Sequence, residues 1–290
     1  MRSRSTLSQD RDGKNALIAL VIVLLLVVSS VGAFLFFTAE NRAAQKGDTV
    51  KVDYIGRLAD GRVFDTSIYS VAADNATYPK SLSFTFRGNE TVYRPYEFVL
   101  GSQGTLAGFS DGIVGMKKGE TRTIVIPAGE GYTLNESKLT TLQLTETVPV
   151  QRTMSISDFE DYFSATPAGF MLYTDPIYGW NVQVLFVDGE NVRILNNIPV
   201  GGAEYRAYGS SSDPSYGWQI NATYDSTGDN ITVHHQLDSS SAFNKKGLDY
   251  NGSEIYVESV DEANGTAIIN HDKEVAGKEL TFTVTLVSIG

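Results

Sequence analysis

The sequence predicts a mostly β, α+β body of about 250 residues, held to a membrane by one N-terminal helix. Three observations carry this. Residues 16–37 (ALIALVIVLLLVVSSVGAFLFF) contain no charged residue. The chain beyond them breaks into short alternating runs separated by Gly, Asn and Asp turns. Its composition, with 15 Tyr, 14 Phe and 27 Gly against 20% charged residues, favours strands and turns over long helices.

The uncharged run is long enough to cross a bilayer: as a helix it spans about 33 Å, against a hydrocarbon core of about 30 Å. It lacks the polar face of a core helix, and it ends in Phe34-Leu35-Phe36-Phe37 rather than in a small-residue cleavage site. An uncleaved signal anchor is therefore expected at 16–37, with 1–15 as a cytoplasmic tail and 38–46 as a linker. Arg2, Arg4, Arg11 and Lys14 precede the helix and Arg42, Lys46 and Lys51 follow it, a weak positive-inside bias. Seven N-x-S/T sequons, at Asn75, Asn89, Asn135, Asn221, Asn230, Asn251 and Asn264, exceed the chance expectation of about three and point to an extracellular body.

The net charge is −11, and setting aside residues 1–37, with four basic and two acidic groups, brings the remainder to −13. An acidic surface argues against nucleic acid or anionic lipid as a partner. The absence of Cys excludes disulfides, thiol catalysis and Cys-ligated zinc. His234 and His235 are adjacent on a strand and face opposite ways, so no metal is expected there.

Strand signals begin directly after the linker. Val50, Val52 and Tyr54 alternate with Lys51, Asp53 and Ile55, Ala59-Asp60-Gly61-Arg62 is a hairpin turn, and Val63-Phe64-Asp65 follows. Residues 67–95 read as a long polar loop or ribbon. Tyr96 to Leu100 is a strand, Leu106 to Val114 a short helix with Leu106, Phe109 and Ile113 on one face, and Thr121 to Ile126 a strand. The chain closes on a strand with Phe282, Val284 and Leu286 on one side. Between about 134 and 268 lies a segment richer in Ser, Asn, Asp and Tyr. Asp175-Pro176-Ile177-Tyr178-Gly179-Trp180 recurs there as Asp213-Pro214-Ser215-Tyr216-Gly217-Trp218, each followed by a hairpin, at about 175–195 and 213–235.

The outer segments carry a family signature. Gly47-Asp48-Thr49-Val50-Lys51-Val52-Asp53-Tyr54-Ile55-Gly56, then Asp60-Gly61-Arg62-Val63-Phe64-Asp65-Thr66-Ser67, resembles the opening of FKBP-type peptidyl-prolyl isomerases. Phe98-Val99-Leu100-Gly101 before Gly108-Phe109, Gly115-Met116-Lys117-Lys118-Gly119-Glu120, and Ile126-Pro127 before Gly131-Tyr132 resemble the family in the same order. Asn270-His271 and Ala276-Gly277-Lys278-Glu279-Leu280-Thr281-Phe282 resemble the closing strand of the SlyD-type branch, which inserts a chaperone domain in the flap. The resemblance implies an antiparallel half-barrel wrapped on a short helix, formed by 47–133 and 269–290, with 134–268 as a β-rich insert. The sequons, acidic surface and uncleaved anchor suit an archaeal envelope.

Isomerisation at proline faces a barrier of about 18–20 kcal/mol and needs no nucleophile, metal or cofactor. It needs an apolar cleft that desolvates the amide and favours its twisted form. By the family pattern the cleft would be built from Tyr54, Phe64, Tyr96, Phe98, Thr105, Leu106, Phe109 and Phe282. Asp65 would stand by the twisting bond, and the Tyr132 hydroxyl would bond the substrate carbonyl. The bland reading of the aromatics is barrel core. Departures are Tyr96 in place of Phe, Thr105 in place of an aliphatic residue, and Thr133 in place of the Gly after the flap tyrosine. The expected activity is peptidyl-prolyl cis-trans isomerisation of newly exported, proline-containing chains by a monomer. The alternatives are a holdase chaperone gripping clients through the insert's Tyr162, Phe163, Phe170, Tyr173, Tyr178 and Phe186, or an envelope protein without activity. The bland reading of those aromatics, and the better one, is the insert's own core.

Overall fold

The computed structural model describes residues 22–29 and 42–290. Residues 22–29, inside the uncharged run, form helix α1 with exposed side chains. The tail, the rest of the expected anchor and the start of the linker lie outside the described residues. Among the described residues, no helix is long and apolar enough to cross a membrane.

The outer segments build one five-stranded antiparallel sheet. Its strands are β1 (Thr49–Leu58), β2 (Val63–Thr66), β3 (Tyr96–Val99), β4 (Thr121–Ile126) and the C-terminal strand (Leu280–Ile289), which is β17 in chain order. The C-terminal strand lies between β1 and β4. The other edge of β1 is shared: β3 pairs with Thr49–Val52 and β2 with Ile55–Arg57. Alternation puts Val50, Val52, Val284 and Leu286 on the covered face, where they meet Ile113 and Met116. Helix α3 (Ala107–Ile113) crosses that face. Gly112 permits the close approach, since a Cβ there would lie 2.7 Å from Ile124. The stretch at 67–95, expected as a loop or ribbon, contains helix α2 (Tyr69–Ala73) and a 3-10 turn at Glu90–Val92. The loop also bonds β2 directly: Val63 N–H donates to Pro79 O at 2.8 Å and Ser81 N–H to Val63 O at 2.9 Å.

The insert holds three four-stranded sheets, each a three-stranded meander closed by one strand from its N-terminal run. That run is β5 (Leu139–Gln143), β6 (Thr145–Pro149) and β7 (Gln151–Ser155), followed by helix α4 (Ile156–Phe163). The first meander is β8 (Leu172–Thr174), β9 (Asn181–Asp188) and β10 (Asn191–Asn197), closed by β7. The second is β11 (Ala203–Ala207), β12 (Trp218–Tyr224) and β13 (Asn230–His235), closed by β6. The third is β14 (Lys246–Leu248), β15 (Glu254–Asp261) and β16 (Thr266–Asn270), closed by β5. The two repeats seen in the sequence are thus two of three units. In every unit an aspartate caps the turn entering the central strand. Asp175, Asp213 and Asp249 accept from the backbone N–H of Ile177 (2.9 Å), Ser215 (2.8 Å) and Asn251 (2.9 Å).

All three sheets face one apolar core that includes Trp180, Trp218, Phe159, Val184, Ile220 and Ile269, and Tyr173 and Tyr178 pack against it. The outer segments have a separate core. His235 is buried and His234 exposed, as alternation along β13 requires.

Candidate functional site

A cleft of about 450 Å³ lies on the outer segments. Tyr54 comes from β1, Phe64 and Asp65 from β2, Tyr96 from β3, Phe109 from α3 and Phe282 from β17. Gly104, Thr105 and Leu106 line it from the turn before α3, and Tyr132 from the loop after β4. The β1–β2 pairing explains the local order: Gly56 sits opposite Asp65, and a Cβ on Gly56 would stand 2.7 Å from the Phe64 ring and 3.0 Å from Phe282. The rings brace one another edge to face. Phe109 and Phe282 have centroids 4.9 Å apart, Phe64 and Phe282 5.5 Å, and Tyr54 and Phe109 5.9 Å.

Phe98 is the exception among the residues named from the sequence. It is buried behind the wall, stacked on Tyr96 at 5.1 Å and against Phe109 at 5.8 Å, and does not line the cleft. Tyr96 and Phe98 lie two apart on β3 and share a face, but Phe98 is covered by the Tyr96 and Phe109 rings and packs into the core.

Asp65 is the one carboxylate lining the cleft, and it is held on both oxygens. The Tyr54 hydroxyl donates to Oδ2 at 2.5 Å. Arg87 Nη2 and the Thr66 N–H donate to Oδ1 at 2.9 and 2.8 Å. Arg87 also donates to Thr66 O, and its guanidinium lies 4.7 Å from the centre of the Tyr93 ring. Burial, then the charge of Asp65, pushes the Tyr54 hydroxyl far above the ordinary phenol range. Tyr132 is raised by the same two causes in the same order, with Tyr96 adding to them. Both phenols therefore stay protonated as donors. Tyr54 uses its proton on Asp65, whereas the Tyr132 hydroxyl bonds no protein group among the described residues. The Tyr96 hydroxyl lies 3.2 Å from Thr105 Oγ1.

Sequence reasoning missed Gly104 and Arg87. Gly104, at φ +100°, turns the backbone beside the cleft. Arg87 lay in a stretch read as polar loop. Its signal was an arginine set among Phe84, Phe86 and Tyr93, where aromatic faces hold a guanidinium.

The comparisons address this region of the chain. Residues 40–149 match the model of FKBP-type peptidyl-prolyl cis-trans isomerases. The chain thus carries an FKBP-type domain. It is 40% identical to a short-type peptidyl-prolyl cis-trans isomerase of Methanocaldococcus jannaschii, over 33% of this chain and 54% of that protein. It is 39% identical to peptidyl-prolyl cis-trans isomerase FKBP15-2 of Arabidopsis thaliana, over 31% of this chain and 41% of that one. A trigger factor of Hydrogenovibrio crunogenus is 30% identical over 42% of this chain and 22% of its own length. The chain spans about half the length of the first two relatives. The matched residues take in β1 to β4 but stop short of β17, which the structure places at the centre of the same sheet.

Proposed function

We propose that this chain is a peptidyl-prolyl cis-trans isomerase acting on newly exported, proline-containing polypeptides at the outer face of a cell membrane. The observation that carries the reading is the cleft itself. Phe64, Phe109 and Phe282 offer an apolar seat for a proline ring, next to one oriented carboxylate and one free phenol. A proline seated against Phe109 places the preceding carbonyl within reach of the Tyr132 hydroxyl. Removing that carbonyl from water weakens the charge-separated resonance that keeps the amide planar. Asp65 then lies on the side where the bond twists and favours the twisted geometry over the planar one. No group has to be transferred, so the chain's own side chains suffice.

The membrane location rests on the uncharged run at 16–37 and the outward direction on the sequons. The SlyD-type arrangement rests on the order of the motifs around the insert, and an archaeal source on the sequons, the acidic surface and the uncleaved anchor. A single polypeptide supplies the whole cleft, in keeping with a monomer. The test is catalysis of a proline-limited refolding reaction by the full chain in detergent, with protease treatment of intact cells to locate the body. A wild-type chain that leaves the slow refolding phase unchanged removes the isomerase reading. Protection of the body from protease removes the location.

A holdase is the second reading, favoured by one surface. Phe170, Met171 and Leu172 are 78, 55 and 58% exposed at the start of edge strand β8, with exposed Phe186 and Val187 on neighbouring β9. Apolar exposure beside an open strand edge is what an unfolded chain would add to. Tyr162, Phe163, Tyr173 and Tyr178 are partly or largely buried within the insert and offer no such surface.

A further inference from the structure

Glu274 lies in the turn through which the chain leaves the insert and returns to the central sheet strand. It is a carboxylate only 2% exposed. Burying a carboxylate is costly unless it is well partnered. One oxygen accepts from the Ser83 backbone N–H at 2.7 Å, and the other faces Arg62 Nη1 at 3.3 Å. On the insert side, Lys246 of β14 donates from Nζ to Leu82 O at 3.1 Å. Leu82 O and Ser83 N–H are the two ends of one peptide group. An ammonium at the carbonyl end and a carboxylate at the amide end both align with its dipole, so the plane is held by two charge-assisted bonds.

That peptide belongs to the loop that reaches the cleft. Upstream, Pro79 and Ser81 are bonded to Val63 of β2. Downstream, Arg87 places its N–H on the Tyr93 hydroxyl at 2.8 Å and its guanidinium on Asp65. We propose that Glu274, with Lys246, is a positioning residue for the cleft: by gripping the 82–83 peptide it sets where Arg87 meets Asp65. The insert is thereby tied to the geometry of the acid in the cleft. This rests on the isomerase reading for its consequence but not for its structural content.

Two measurements on the full chain separate these. The first is the side-chain Nε–H resonance of Arg87, followed by NMR with that of the Ser83 amide. Glu274→Ala shifts both, whereas Glu274→Gln, which can still accept from Ser83, restores both toward the wild type. An Arg87 resonance unmoved by Glu274→Ala overturns the proposal whether or not the chain is an isomerase. The second is a double-mutant cycle on isomerisation of a proline peptide. Glu274→Ala lowers kcat/KM about fivefold in the wild-type background and leaves it unchanged when Arg87 is already Met. Equal losses in both backgrounds overturn the proposal. Where Glu274→Ala does not fold, Lys246→Met, which removes only the bond to Leu82 from the loop, takes its place in both measurements with the same outcomes.

Discussion

The Tyr54 hydroxyl donates to Asp65 at 2.5 Å, and this contact aims the one carboxylate lining the cleft. Tyr54 is itself braced by Phe109 and Phe282, with centroids 5.9 and 6.3 Å away, so the carboxylate inherits the rigidity of the aromatic wall. Replacing Asp65 by Asn keeps the shape and removes the charge. The expected result is a loss of about tenfold in kcat/KM, equivalent to about 1.4 kcal/mol, with thermal stability within about 1 kcal/mol of the wild type. Peptide isomerisation at saturating and limiting substrate checks it, and an unchanged kcat/KM would remove Asp65 from the chemistry.

Tyr132 tests the carbonyl contact separately. Its hydroxyl makes no bond within the described protein, so Tyr132→Phe leaves no orphaned partner. Folding stability should be unchanged within about 0.5 kcal/mol, while kcat/KM falls by about the worth of one hydrogen bond, on the order of 1 kcal/mol or fivefold. A variant that loses stability but not activity would reverse the assignment.

Gly56 bears on the same wall from behind. A methyl group there meets Phe64 at 2.7 Å and Phe282 at 3.0 Å, both rings of the cleft. Gly56→Ala should cost about 1–3 kcal/mol from overpacking and also narrow the cleft, raising KM for proline peptides. Denaturant unfolding and peptide kinetics on one preparation check both effects. Stability lost without any change in KM would mean that the rings yield away from the cleft.

The motif residues were legible because one hairpin carries Tyr54, Phe64 and Asp65, and short-range order survives in the sequence. Phe98 misled because the family pattern places it in the wall, whereas the Tyr96 ring, on the same face of β3, stands between it and the cleft. Arg87 was harder to read: the aromatic residues near it mark a seat for a guanidinium, but its contact with Asp65 depends on a loop folding back over β2, which no local pattern encodes. The third unit of the insert was hidden for a different reason. Glu254 stands where Trp180 and Trp218 stand in the other two, since each lies two residues before the partner of Asn270, Asn196 or His235 in the hairpin register. The indole was the visible mark of the repeat, whereas the element common to all three is the aspartate-capped turn.

Buried phenols make the body sensitive to alkali. Tyr54, Tyr162, Tyr178, Tyr208 and Tyr256 are all raised well above the ordinary phenol value, burial being the largest cause in each. The folded state therefore keeps protons that the unfolded chain releases above about pH 10. The stability these neutral phenols contribute is complete below about pH 10 and is lost as pH rises toward their folded values. Unfolding followed by circular dichroism and tyrosinate absorbance should coincide in one alkaline transition. Tyr208→Phe removes one such group and should move the midpoint upward, and tyrosinate forming gradually while the fold persists would refute the account.

Within the insert, Trp218 Nε1 donates to His235 Nδ1 at 2.9 Å, and His235 Nε2 lies 2.9 Å from Glu146 Oε1. An indole can only donate, so Nδ1 is the accepting nitrogen and the proton sits on Nε2, facing the carboxylate. Glu146 also accepts from the Tyr178 hydroxyl at 2.9 Å, and Tyr178 stacks on Trp180 at 4.3 Å. One chain of polar contacts thus joins the first and second units through a strand that closes the second. His235→Leu fills the space but leaves a buried indole N–H without a partner, at a cost of about 2–3 kcal/mol. Adding Trp218→Phe to that variant removes the orphaned donor, so the double variant should be less destabilised than the two single losses combined. Denaturant unfolding of the four proteins measures the coupling, and strict additivity would show that the indole and imidazole stabilise the insert independently.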